Sequence, residues 1–125
     1  EQLRPNIHIA DMVESYISVL RAPDEKVSGK IFNVGYENQS VRELAETVKT
    51  VVGKDVELVT SLTDDNRSYH ISSKKIQDEL GFKPTHSIRD AIVELRDAFS
   101  QGKLPNSLSD EKYFNIRRMQ SLNLK

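Results

Sequence analysis

From Lys30 to Gly53 the sequence spells out a strand, a turn and a helix with both helix ends marked. Ile31-Phe32-Asn33-Val34 is an apolar run of strand length, and its composition suits burial on both faces, as in a parallel sheet. Gly35 frees the backbone to turn sharply. Ser40 and Glu43 then have the spacing of a capping box: the hydroxyl accepts from one free helix N–H and the carboxylate from another. Behind them Val41, Leu44, Ala45, Val48 and Val52 fall on one helical face. Gly53 suits the position just past a helix end. A strand running straight into an amphipathic helix is the unit of α/β folds.

The rest of the chain repeats the pattern more weakly. Ile7 and Ile9 alternate with Asn6 and His8, which predicts a brief strand with Pro5 at its edge. Val13, Tyr16, Ile17 and Leu20 follow at the spacing of a helix with one buried face, Asp11 sits in its first turn, and Pro23 ends it. Asp55 to Thr60 reads as a third strand and Ser61 to Ser68 as a polar loop. Tyr69-His70-Ile71 reads as a short extended piece. Ser72 or Ser73 can cap a short helix that ends at Gly81, with Ile76 and Leu80 inward. Ser87 opens a further helix with the stripe Ile88, Ala91, Ile92, Leu95 and Phe99, and Gly102 stops it. The tail has weak periodicity, read as a short helix near Asp110 to Met119 or as partial disorder. The expected fold class is therefore α/β, a small parallel sheet with flanking helices. Residues 1–102 form its main portion and 103–125 a C-terminal tail.

Charge and composition exclude several classes. The 18 basic and 19 acidic residues nearly cancel, so nothing argues for a nucleic-acid or membrane-surface partner. With no cysteine there is no disulfide or thiolate chemistry. No apolar run approaches the roughly 20 residues that span a bilayer, no signal peptide is visible, and the expected compartment is the cytoplasm. The chain opens on Glu1 without an initiator methionine, and three short strands with few helices to cover them read as an excised piece of a larger α/β enzyme.

The chemistry that is missing narrows the field. The five glycines are scattered at positions 29, 35, 53, 81 and 102, so there is no glycine cluster to bring backbone against a dinucleotide. No tyrosine is followed four residues later by lysine. His8, His70 and His86 lack metal-ligand spacing, and no serine sits in a nucleophile elbow. Catalytic, cofactor-binding and metal-binding residues are all expected to be none.

Four motifs carry a resemblance. Arg4-Pro5-Asn6-Ile7-His8-Ile9-Ala10-Asp11 resembles an R-x-x-I-H-V-x-D stretch, Ile31-Phe32-Asn33-Val34-Gly35 a (Y/F)-N-(I/V)-G strand, and Glu43-Leu44-Ala45 the helix after it. Asp65-Asn66-Arg67-Ser68-Tyr69, Ser73-Lys74-Lys75-Ile76 and Glu79-Leu80-Gly81-Phe82-Lys83-Pro84 together resemble a D-x-R-x-Y … S-K-x … E-L-G-(W/F)-x-P signature. In this order and spacing they resemble the C-terminal portion of extended short-chain dehydrogenases/reductases, and within them the NAD-dependent epimerase/dehydratase group that acts on nucleotide-diphosphate sugars. The resemblance covers roughly residues 4 to 100.

That resemblance implies the C-terminal part of a Rossmann enzyme. The N-terminal Rossmann half, absent here, would carry the glycine-rich turn, the catalytic Tyr-x-x-x-Lys and NAD or NADP; this chain would bind no cofactor and turn nothing over. It would bind the nucleotide-diphosphate sugar, and a homo-oligomer is possible. An arginine at the position of Arg4 contacts the diphosphate in the family, as a rigid fork of donors suits phosphate oxygens. The family's second arginine lies in an R-P-G-D-type loop, where this chain has Leu62-Thr63-Asp64-Asp65. Arg67 either replaces it or pairs with Asp64 or Asp65. Tyr69 lines the pocket or packs half-buried in the core. Ser40 is first a helix cap and second a nucleotide contact. His8 reads as structural, bonding backbone or Asp11. The rival function is a non-catalytic binding or interaction module that kept this fold.

Overall fold

A computed structural model of the chain describes residues 2–53, 55–61 and 67–123. The chain divides into two compact units, one reaching to Glu94 and the other beginning at Leu95.

The first unit opens with strand β1, Leu3–Asn6, and helix α1, Ile9–Arg21. The expected strand at Ile7 and Ile9 is therefore displaced. His8 is the N-cap of α1: its side chain accepts from the Ala10 N–H, and that bond turns the chain into a helix where alternation suggested a strand. α1 stops before Pro23, as expected, and a single turn α2, Asp24–Val27, follows.

Strand β2, Glu37–Ser40, pairs with β1 in antiparallel register, from Leu3 opposite Ser40 to Asn6 opposite Glu37. The fold class is α/β, but the sheet corrects the expectation: among the described residues it has two strands and is antiparallel. The apolar runs at 31–34 and 56–60 join no ladder among the described residues. A ladder needs a neighbour that offers N–H and C=O groups. The polar Glu37-Asn38-Gln39-Ser40 has one in β1, and the apolar runs do not.

Helix α3, Val41–Val52, begins at the capping box read from sequence. The Glu43 N–H donates to Ser40 Oγ at 3.2 Å and the Ser40 N–H to Glu43 Oε2 at 2.7 Å. Its inward face is rotated from the expected stripe. Val51 is buried, Leu44 and Val48 are half-buried, and Val41 and Val52 are exposed.

Helix α4, Lys74–Leu80, holds the 31–34 run in place without a ladder. Lys75 Nζ donates to the Ile31 carbonyl at 2.9 Å and lies 5.0 Å from the Phe32 ring centre. Lys30 pairs with Glu79 at 2.6 Å. Ser72 or Ser73 is expected to cap α4; Ser73 stands at the N-cap position without a side-chain capping bond. Its hydroxyl instead accepts from the Gly35 N–H at 2.7 Å and donates to the Gly35 carbonyl at 2.6 Å. Ser72 takes the capping role, accepting from the Lys74 N–H. Ile76 is fully buried, and with Val51 and Phe82 it makes up the buried apolar core among the described residues.

Helix α5, Ile88–Ser100, starts at a reciprocal pair: the Ser87 N–H donates to Asp90 Oδ2 and the Asp90 N–H to Ser87 Oγ. The second unit holds the end of α5, a 3-10 turn at Glu111–Tyr113 and helix α6, Asn115–Ser121. Asp110 caps the turn through the Lys112 N–H, and Arg118 pairs with Glu111 at 2.6 Å. The tail thus carries a helix near the expected place. Among the described residues no helix is long and apolar enough to cross a membrane.

Candidate functional site

Three of the four candidate residues gather along β1. Arg4 Nη1 donates to the carbonyls of Leu3 and Arg67, and Nη2 reaches Gln2 Oε1 at 3.4 Å. The guanidinium lies over the Tyr69 ring, 5.5 Å from its centre, a cation–π distance. Backbone bonds fasten the same segment. The Leu3 N–H donates to Ser68 Oγ at 3.0 Å and the Tyr69 N–H to the Leu3 carbonyl at 3.4 Å. The extended piece read at Tyr69 to Ile71 therefore runs beside β1, and Asn38 continues the contact with two hydrogen bonds to Ile71.

The fourth candidate, Ser40, sits at the other end of the β1–β2 register, opposite Leu3, and is buried. It lines a groove of about 720 Å³ bounded by Gln2, the start of α3 and residues Glu57 to Ser61. That volume lies within the range of small-molecule sites. Arg42 and Glu46 of α3 and Glu57 opposite supply charge, and Val41, Ala45 and Val59 supply apolar wall. Hydrogen bonds from the Ser40 backbone and hydroxyl hold Glu43 below the usual carboxylate range, so the capping box stays ionised and closed. Ser40 is thus a cap at the groove edge.

Gln2 joins the two parts, since it touches Arg4 and lines the groove. Sequence reasoning missed Gln2, Arg42 and Glu57. Arg42 carried a faint signal, one residue inside a capped helix. Gln2 and Glu57 carried none, because only the fold brings residue 2 to residue 57. Asp64 and Asp65, with the departure from the R-P-G-D-type loop at Leu62 to Asp65, lie outside the described residues.

The glycines do not fit a dinucleotide. Gly29, Gly53, Gly81 and Gly102 have positive φ and stand singly at turns and helix ends. Gly35 is crowded by Ile71, which leaves no room there for a phosphate. Among the described residues no group of three or more His, Asp and Glu could hold a metal ion.

Over 101 residues the chain is 31% identical to a UDP-glucose 4-epimerase of Corynebacterium glutamicum, covering 78% of this chain and 30% of that enzyme. It is 31% identical over 101 residues to UDP-glucuronic acid decarboxylase 6 of Arabidopsis thaliana, covering 78% and 28%. Against a probable GDP-L-fucose synthase 1 of Oryza sativa subsp. japonica it is 34% identical over 95 residues, covering 74% and 28%. The chain is a relative of the extended short-chain dehydrogenases/reductases. It spans less than a third of the length of these curated relatives. The crystal structure of an L-threonine dehydrogenase from Clostridium difficile shares the fold, with a TM-score of 0.67 at 16% identity over 81% of this chain and 34% of that one. No family model matches.

The short-chain dehydrogenase/reductase motifs fall on defined elements. The stretch from Arg4 to Asp11 is β1 and the first turn of α1. The Ile31 to Gly35 run lies between α2 and β2, and Glu43-Leu44-Ala45 is in the first turns of α3. Ser73-Lys74-Lys75-Ile76 opens α4, and Glu79 to Pro84 carries its end, with Gly81 as a left-handed C-cap.

Proposed function

We propose that this chain is the part of an NAD(P)-dependent sugar epimerase or dehydratase that binds the nucleotide-diphosphate sugar. The observation that carries the reading is the gathering of Arg4, Tyr69 and the Arg67 backbone at β1, joined through Gln2 to the groove that Ser40 edges. Arg4 and Arg67 would meet the diphosphate with charge-assisted hydrogen bonds, and Tyr69 would give a flat apolar wall beside them. The N-terminal half of such an enzyme would supply NAD(P) and the catalytic tyrosine and lysine. This chain would hold the sugar in register with them, and by itself it would be inactive.

The test is titration of the chain with UDP and with GDP, followed by calorimetry and amide shifts. Arg4→Ala is expected to weaken nucleoside-diphosphate binding roughly ten- to a hundredfold. Arg4→Lys should restore only part, since an ammonium keeps the charge and loses the fork. Binding by Arg4→Ala as tight as wild type, or no binding of either nucleotide by a folded wild-type chain, removes the site. A loss of binding matched by an equal loss of thermal stability would mark Arg4 as a clamp on residues 67–69 and nothing more.

A further inference from the structure

The run Ile31-Phe32-Asn33-Val34 is tied at its ends and open in its middle. Lys75 Nζ donates to the Ile31 carbonyl at 2.9 Å. At the far end Ser73 Oγ accepts from the Gly35 N–H at 2.7 Å and donates to the Gly35 carbonyl at 2.6 Å. Between these ties the N–H groups of Ile31, Phe32, Asn33 and Val34 find no hydrogen-bond partner among the described residues, and neither do the carbonyls of Phe32, Asn33 and Val34. Exposure alternates along the run: Ile31 and Asn33 are exposed, Phe32 and Val34 half-buried. That is the period of a strand with one face on the body of the protein.

In an extended strand the N–H and C=O of one residue point to the same edge, and those of the next residue to the other. Ile31 and Gly35 share a parity, and both are tied to residues at the start of α4. The open edge is therefore the one at Phe32 and Val34. A row of unpaired ladder groups is a template for another strand. The apolar composition of the run is that of a strand in a parallel sheet, and such a sheet needs helices over its faces. A helix with an unused apolar face lies just before the run in sequence. On α1 Val13, Tyr16 and Leu20 are exposed, while the polar Asp11 and Ser15 are buried.

We propose that the Phe32–Val34 edge is a docking strand, which extends a parallel sheet in the N-terminal portion of the parent enzyme while the Val13, Tyr16 and Leu20 face of α1 covers that sheet. The occupant follows from the relatives: more than two thirds of the length of each curated relative lies outside the part that this chain matches. The shared fold likewise covers only 34% of the L-threonine dehydrogenase. Main-chain hydrogen bonds at the open edge supply the pairing, and burial of the α1 side chains adds to it. The inference rests on the reading of a larger parent enzyme and does not use the nucleotide site at Arg4.

The experiment compares amide exchange in two proteins. One is the chain alone. The other is the UDP-glucose 4-epimerase relative with its 101 matched residues replaced by those of this chain. In the chain alone all four amides of the run should exchange without protection. In the chimera those of Phe32 and Val34 should slow by at least about tenfold, the exchange equivalent of one net hydrogen bond. Leu20→Lys should leave the unfolding midpoint of the chain in place and lower that of the chimera. Amides already protected in the chain alone overturn the docking strand. So does a chimera that fails to fold, or one that folds with Phe32 and Val34 exchanging as fast as in the chain alone. Sedimentation of the chain alone tests the other occupant: a dimer whose formation protects Phe32 and Val34 gives the edge to a second copy and overturns the proposal. A chain that binds neither UDP nor GDP, beside a chimera that protects Phe32 and Val34, supports the docking strand and removes only the substrate reading.

Discussion

Gly35 has no room for a side chain. A Cβ there would stand 2.6 Å from Ile71 Cδ1 and 2.9 Å from Ile71 Cγ1. The Ser73 hydroxyl bonds both the N–H and the carbonyl of Gly35, so the backbone cannot shift aside without breaking them. Sequence reasoning gave this glycine a sharp turn, but its φ lies outside the left-handed region; what it supplies is close approach. Gly35→Ala is expected to destabilise by about 1–3 kcal/mol in urea unfolding, the usual size of overpacking. Adding Ile71→Ala should recover part of it, and no loss in the single variant would show that Ile71 moves freely. The local signals at single residues were legible where the interaction spans a few positions, as in the Ser40–Glu43 box. His8 is read as structural, bonding backbone or Asp11, and its bond from the Ala10 N–H is a backbone one. It is structural, but its carboxylate partner is Glu94 and Asp11 holds His86 instead, because residues 75 to 86 positions away in sequence decide those bonds.

Among the elements, α3 and α4 differ in what anchors them. Ile76 of α4 is 0% exposed. Leu44 of α3 is only half-buried. Ile76→Ala should therefore cost about 2–5 kcal/mol, and Leu44→Ala less than about 2 kcal/mol. Denaturant midpoints of the two variants at one slope compare them directly, and a costlier Leu44→Ala would mean that α3 carries the core. Helix positions were legible in advance because caps and 3.6-residue periods are short-range. Strand status was not. The Ile31 to Val34 run has the composition of a central strand, and only the presence of a neighbouring strand makes it one.

On the scale of the molecule, the stripe of α1 that periodicity marks for burial faces out. Of that stripe Val13, Tyr16 and Leu20 are exposed, Leu20 at 84%, and Ile17 is half-buried, while Asp11 and Ser15 are the buried residues of that helix. Tyr16→Glu and Leu20→Lys should each change folding stability by no more than about 0.5 kcal/mol, the ordinary effect at a surface. A loss of several kcal/mol in thermal unfolding would show that the stripe is covered in the folded chain. The sequence by itself determined the α/β class, the positions of the longer helices, the Ser40–Glu43 capping box, the family likeness, and three residues that meet at β1, because each rests on spacing within a short segment or on a motif. The tertiary structure alone decided the antiparallel pairing of β1 and β2, the outward face of α1, the groove at Gln2 and Glu57, and the stacking of the His8 ring on that of His86. Those depend on which distant segments find one another, and a period or a cap contains no information about its partner.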